Sequence, residues 1–161
     1  MNLGIVSDTH GHIGNTIQAV SVLEEHDVGL VIHCGDIGSI NVIALFTGKP
    51  THFVFGNVDH SAEQIRLAIE EAGQTCHGRF GSLDIDGTKI AFLHSDDSRL
   101  FQETISSGEW DLVCYGHTHE AESHREGNAL VLNPGALYRA NPHSLAIVEL
   151  PSLQVEHVTL S

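Results

Sequence analysis

Eight polar residues stand out by type and spacing: Asp8 and His10 in SDTHG, Asp36 in HCGD, Asn57 and Asp59 in GNVD, His94 in LHSD, and His117 with His119 in YGHTH. Carboxylates, imidazoles and a carboxamide are metal-donor groups, and a set without thiolate favours borderline divalent ions such as Mn²⁺, Fe²⁺, Zn²⁺ or Co²⁺ over Ca²⁺ or a structural zinc. Asp8, His10, Asp36, Asn57, His94, His117 and His119 are more donors than one ion uses. Two ions about 3.5 to 4 Å apart, bridged by one carboxylate, would use them all and leave room for a bridging hydroxide, the arrangement of two-metal phosphate chemistry.

Each group alone has an ordinary explanation, since Asp or Asn beside Gly is common turn chemistry and a single His at a strand end is usually a hydrogen-bonded structural residue. The elements around them remove that explanation. Asn2 to Val6 reads as a buried strand, followed by a polar stretch from Ser7 to Asn15 and a helix from Thr16 to Glu25, with Ile17, Val20, Val22 and Leu23 on its apolar face. Gly29 to His33 reads as a second strand, Ile40 to Phe46 as helical, His52 to Phe55 as a third strand and Glu63 to Glu71 as a helix. Hairpin texture then takes over, with Phe80 to Ile85, the turn Asp86-Gly87, and Lys89 to Leu93. Arg99 to Ile105 is predicted helical and Asp111 to Tyr115 extended, and strands over Ala129 to Leu132, Leu145 to Leu150 and Val155 to Leu160 close the chain.

Alternating β and α first and mostly β later predicts an α/β fold of two sheets packed face to face with helices outside. Nearly every strand among the first 120 residues then ends in Gly or a metal-donor residue. Ligands of α/β sheets bind beyond the carboxyl ends of strands, so these groups are expected to converge on one rim.

Composition narrows the partners. A length of 161 residues with 41% hydrophobic content suits one domain over 1–161. The longest apolar runs fall far short of the roughly 20 residues of a membrane span, and MNLGIVSDTH has no basic segment ahead of its apolar one; no membrane partner and a cytoplasmic location are expected. Cys34, Cys76 and Cys114 lack CxxC spacing and read as small buried apolar residues. With a formal charge of −14 and no Lys/Arg cluster, long nucleic acid is not an expected partner. The histidines outside the motifs are scattered rather than in tracts, which argues against metal storage.

The motifs D8-x-H10, G35-D36, G56-N57-x-D59, H94 and G116-H117-T118-H119, in that order, resemble those of the calcineurin-like metallophosphoesterases. The SDTHG opening and Asn133-Pro134-Gly135 resemble the small bacterial and archaeal phosphodiesterase branch, which also includes the retromer scaffold subunit. The resemblance spans roughly residues 3 to 135 and implies a four-layer α/β/β/α sandwich with two mixed sheets and a dinuclear site at its rim. It assigns Asp8, His10 and His119 to one ion, Asn57, His94 and His117 to the other, and Asp36 to both. Asn57 and His94 would also position the phosphoryl group, and Asp59 would act behind them by orienting a ligand. The implied activity is hydrolysis of a small phosphoester, a phosphodiester first, by a hydroxide bridging two divalent ions. Mn²⁺ is the expected metal, with Fe, Zn, Co or Ni as alternatives.

Two departures from the family pattern matter. Val58 stands where many relatives carry a His after the motif Asn, thought to protonate the leaving group, and His94-Ser95-Asp96 replaces His-Gly-His. His60, His12 and Asp96 are candidate substitutes for that acid. The rival reading is a protein-interaction scaffold of the same fold with little or no activity. Against it, a scaffold gains nothing from two carboxylates and four imidazoles at one spot. Arg139, Arg99 and Arg79 are candidate phosphate contacts or ordinary surface residues, and Trp110 is expected to pack.

Overall fold

The computed structural model describes residues 1–161. In chain order the elements are β1 (Asn2–Val6), α1 (Ile13–Glu25), β2 (Val28–His33), α2 (Ile40–Ile43) with a 3₁₀ turn over Ala44–Phe46, β3 (Thr51–Phe53), α3 (Ala62–Glu71), β4 (Thr75–Cys76), β5 (Phe80–Ile85) and β6 (Thr88–Leu93). The second half contributes α4 (Ser98–Ser106), β7 (Leu112–Cys114), β8 (Glu122–Glu126), β9 (Ala129–Asn133), β10 (Ser144–Glu149) and β11 (Gln154–Thr159).

Strands β11-β10-β1-β2-β3-β4 form one sheet and β5-β6-β7-β9-β8 the other. Both are mixed: β1, β2, β3 and β4 run parallel, as do β6, β7 and β9, while the remaining pairs are antiparallel. Strand alternation sorts the apolar residues into layers. Leu3 and Ile5 of β1, Ile32 of β2, and Ile90 and Phe92 of β6 fill the space between the sheets. The outer face of the first sheet packs Val6, Val31 and Phe53 against Ala19 and Leu23 of α1 and Ile65 and Ile69 of α3. Ala91, Leu93, Val113 and Val131 of the second sheet meet Ile105 of α4. The result is the four-layer α/β/β/α sandwich. No helix is long and apolar enough to cross a membrane.

Most element boundaries fall within one or two residues of expectation, and the exceptions have local causes. Helix α1 begins at Ile13 rather than Thr16, because the His12 ring caps it, Nδ1 accepting from the Asn15 amide at 3.1 Å. Its buried stripe is Thr16, Ala19 and Leu23, while Ile17, placed on that face by the sequence pattern, is 53% exposed. The helical stretch over residues 40–46 divides into one α turn and one 3₁₀ turn. Two strands were not anticipated. Strand β4 has only two residues, and β8 (ESHRE) carries no apolar side chain for a period-2 pattern to reveal. Trp110 packs beside Phe80, with ring centroids 6.0 Å apart. Arg99 pairs with Glu103 one helical turn away.

His33, the last residue of β2, is fully buried and stacks on Phe53, with ring centroids 5.4 Å apart. Thr9 Oγ1 gives its proton to the Ile37 carbonyl at 2.9 Å, so its 3.0 Å contact with His33 Nε2 requires the ring to donate. The Gly35 amide meanwhile donates to His33 Nδ1 at 3.1 Å. The network therefore fixes a neutral Nε2–H tautomer, and burial holds its pKa down to about 4. A depressed histidine gives its full stability above the ordinary value and loses it as pH falls, because the unfolded chain takes up the proton first. Between pH 6.5 and 4 this withdraws up to ~3 kcal/mol of stability. Urea unfolding of the His33→Gln variant is expected to depend less steeply on pH across that window than the parent, and ¹⁵N imidazole spectra should keep His33 neutral at pH 5.

Candidate metal centre

All the donor residues lie in loops that follow strand ends. The segment after β1 runs alongside the segment after β2, through Asp8 N to Gly35 O at 3.0 Å, His10 N to Asp36 O at 3.0 Å and Gly11 N to Ile37 O at 2.8 Å. Asn57 follows β3, His94 follows β6, and His117 and His119 follow β7. Five of the seven predicted donors, Asp8, His10, Asp36, His117 and His119, adopt positive φ between 43° and 76°. Non-glycine residues pay for that conformation, so its concentration at one rim marks a surround that over-determines the loops.

The side chains converge. Asp8 is fully buried, and its Oδ2 accepts from Ser7 Oγ at 2.6 Å and from the His117 amide at 3.1 Å. Its Oδ1 lies 3.2 Å from His119 Nε2, 3.4 Å from His10 Nε2 and 3.8 Å from His94 Nε2. Asp36 Oδ1 accepts from the Val58 amide at 3.0 Å, while Oδ2 stands 3.3 Å from His10 Nε2 and 3.1 Å from His94 Nε2. His117 Nδ1 lies 3.1 Å from Asn57 Oδ1, and its ring meets that of His94 at 5.1 Å between centroids. Donor atoms of Asp8, His10 and His119 lie within 4.8 Å of one another, as do those of Asp8, Asp36 and His94. Asp36 thus stands between His10 and His94, where a shared carboxylate was expected. Asp8 differs, because it reaches toward both groups rather than one. Asn57 and His117 lie at the exposed side of the cluster and pair with each other.

The protonation pattern tests whether these residues suit cations. His94 Nδ1 donates to the Cys34 carbonyl at 2.8 Å and His119 Nδ1 to the Arg139 carbonyl at 3.2 Å, so each turns an Nε2 lone pair toward the carboxylates. Asp8 Oδ1, His10 Nε2 and His94 Nε2 are all buried and make no hydrogen bond. Acceptors aimed at acceptors in a buried site require a proton or a cation between them. In their own company the groups choose protons: the facing carboxylates of Asp36 and Asp8 raise His10 to about 9. For His94, burial pulls the pKa down, but Asp36 and the charge of Asp8 outweigh it and the net direction is up. Burial opposes ionisation of Asp8 and Asp36, yet the neighbouring His10 and His94 hold both below the usual carboxylate range. The donor set fits divalent cations.

Glycines make the approach possible. A Cβ on Gly56 would fall 2.1 Å from Asp36 Oδ1, and one on Gly116 would fall 2.0 Å from Ser7 Oγ and 2.7 Å from Asp8 Oδ2.

Asp59 acts differently from expectation. Its carboxylate accepts from the amides of Gly56 at 2.8 Å, Gly38 at 2.9 Å and Ile37 at 3.2 Å, which consumes it as a staple between the loops of Asp36 and Asn57. It orients backbone rather than a donor side chain. Asn133 has an equivalent part that sequence reasoning missed: its Nδ2 donates to Gly116 O and Thr118 Oγ1, and its Oδ1 accepts from the Gly135 amide, pinning the GHTH loop. An Asn directly ahead of Pro-Gly was the available signal. Of the proposed substitute acids, Asp96 is paired with the Arg79 guanidinium, the Nδ1 of His12 is occupied in capping α1, and the His60 side chain is exposed. Replacing Asp59 by Ala strands three amides and is expected to cost ~3 kcal/mol in urea unfolding. It should also weaken Mn²⁺ affinity by about 10- to 100-fold in calorimetric titration.

Comparison with known proteins agrees with this geometry. The profile of the calcineurin-like phosphoesterase superfamily domain matches residues 1–152. Phosphodiesterase MJ0936 of Methanocaldococcus jannaschii is 33% identical over 138 residues, covering 84% of this chain and 83% of its own. The probable metallophosphoesterase YsnB of Bacillus subtilis is 30% identical over 142 residues, covering 85% of this chain and 75% of its own. Among solved structures, a novel archaeal phosphodiesterase superposes with a TM-score of 0.92 at 30% identity, covering 99% of this chain and all of that one. Vps29 of Entamoeba histolytica shares the fold, with a TM-score of 0.67 at 17% identity and full coverage of both chains. The chain belongs to the calcineurin-like phosphoesterase superfamily, a family that implies divalent metal ions.

Proposed function

We propose that the chain hydrolyses a small phosphodiester with the help of two divalent ions, Mn²⁺ foremost. Asp8, His10 and His119 would hold one ion, Asn57, His94 and His117 the other, and Asp36 both. The observation that carries this reading is the trio of buried, unpartnered donor atoms, Asp8 Oδ1, His10 Nε2 and His94 Nε2, at one rim. When bound, divalent ions supply Lewis acidity toward the phosphoryl oxygens and acidify the attacking water.

The chain's own residues do the rest. Asp8 and Asp36 stay ionised at neutral pH, and carbonyls fix His94 and His119 with Nε2 toward the cluster. Asn57 and His117, on the open side, would orient an incoming phosphoryl group, a part that His94, expected for it, leaves to them because its ring is buried. No side chain here is a free nucleophile, so water attacks directly and no covalent enzyme intermediate forms. Two divalent cations against the two buried carboxylates leave the rim positive inside a chain of formal charge −14, a combination that draws small anions and repels long polyanions.

Val58 offers no proton to a leaving group, and Asp96 is engaged by the Arg79 guanidinium. General acid catalysis contributes about 10²- to 10⁴-fold, so esters with acidic leaving groups are the favoured substrates.

Mn²⁺-loaded protein is expected to hydrolyse bis(p-nitrophenyl) phosphate, with His117→Ala lowering kcat by at least about 100-fold. Metal retention with no turnover of any phosphoester would favour the scaffold reading, which the Vps29 likeness keeps in view. Across a series of aryl phosphodiesters, kcat should fall steeply as leaving-group pKa rises, and a flat series would contradict the lack of an acid.

A further inference from the structure

The segment between β9 and β10 brings two residues to the metal rim that none of the motifs contains. Leu137 is pinned through its amide to Ser7 O at 3.2 Å and through its carbonyl to Asn15 Nδ2 at 2.8 Å. Tyr138, half-buried, stacks on the His10 ring with centroids 5.0 Å apart and planes 28° apart. Arg139 follows with φ +48°, a conformation a long side chain rarely takes, and its carbonyl accepts from His119 Nδ1 at 3.2 Å. This backbone is tied to both histidines of one candidate ion site.

The Arg139 guanidinium lies with Cζ 5.1 Å from the Tyr138 ring centroid and makes no hydrogen bond or ion pair. Arg66, over the ring of Phe55, is unpaired in the same way, but it lies on α3 rather than in the segment that meets His10 and His119. Arg79 and Arg99 each hold a carboxylate. Arg139 is instead held by an aromatic face in a strained turn beside the candidate ions, so its five donors stay available to an anion. The Tyr138 ring lies against both the His10 ring and the Arg139 guanidinium, so Arg139 meets the rim through an aromatic side chain rather than as one of the ions' own ligands. It suits the next anionic group along a substrate.

We propose that Arg139, positioned by Tyr138, binds a second phosphate that the substrate carries beyond the scissile one. The proposal rests on the phosphodiesterase reading and deepens it: the preferred substrate is a small diester bearing a further phosphate, rather than a diester with two neutral arms. Arg139 touches substrate and sets specificity, while Tyr138 is a positioning residue.

Calorimetric titration of the Mn²⁺-loaded protein with thymidine 3′,5′-bisphosphate and thymidine 5′-monophosphate tests this without turnover. The parent is expected to bind the bisphosphate about 10- to 100-fold more tightly than the monophosphate, as charge-assisted hydrogen bonds to one added phosphate allow. Arg139→Gln should collapse that ratio toward one. Arg139→Lys should restore part of it, a rescue that a structural role would not produce, and Tyr138→Ala should lower it while Tyr138→Phe keeps it. Equal affinity of the parent for both ligands, or a ratio unchanged in Arg139→Gln, would overturn the proposal. Turnover of thymidine 5′-(p-nitrophenyl phosphate) separates the two readings. Its absence alongside an Arg139-dependent ratio would sink the phosphodiesterase reading and leave the second phosphate site standing.

Discussion

The structure turns on two carboxylates, Asp8 and Asp36, withdrawn from water and facing the same imidazoles. Burying like charges together is costly unless positive charge lies between them. The protein meets that demand with His10, His94 and His119: carbonyls anchor the outer nitrogens of His94 and His119, and the inner nitrogens of all three face the carboxylates. Protons satisfy the arrangement in their own way, raising His10 well above an ordinary histidine. Divalent cations satisfy it better, because each can take several donors at once. Affinity for metal and the electrostatic tension among these buried groups are one quantity seen from two sides.

Holding that tension requires rigid loops, and the sequence supplies three staples behind the donors. Asp59 gathers amides from two loops, Asn133 pins the GHTH turn from beneath, and neutral His33 links Thr9 to Gly35. Each is buried and each is polar, so each hydrogen bond is expensive to lose. The positive φ angles of five donors are sustained by this backing rather than by local preference. Stability of the fold and geometry of the site are therefore coupled through residues that never face solvent.

The sequence made the site legible because metal chemistry demands particular side chains and parallel strands deliver them to one end. Asp8, Asp36, His94 and His119 could be grouped from the sequence because each comes within a few residues of the end of a run that reads as a strand. The layer architecture was legible for the same reason, strand alternation and helix periodicity being strong in this chain. What escaped were features whose signal lies in three dimensions. Asp59 reads as a residue that orients a ligand, and only the amides of Ile37, Gly38 and Gly56 reveal a staple of backbone. Ile17 fits an apolar stripe by spacing, yet the docked helix turns Thr16, Ala19 and Leu23 inward in its place. Tyr138 stands more than a hundred residues from the ring it stacks on, beyond the reach of any local pattern.

Strand β8 closes the second sheet with Glu122, Ser123, His124, Arg125 and Glu126, nearly all of them outward and charged or polar. A sheet margin built this way presents free amides and carbonyls to passing chains but surrounds them with hydrated charge. Foreign strands find no apolar foothold there. The same composition that hid β8 from pattern reading thus protects the flank of the sheet whose middle strands carry His94 and the GHTH turn against adding on a neighbour.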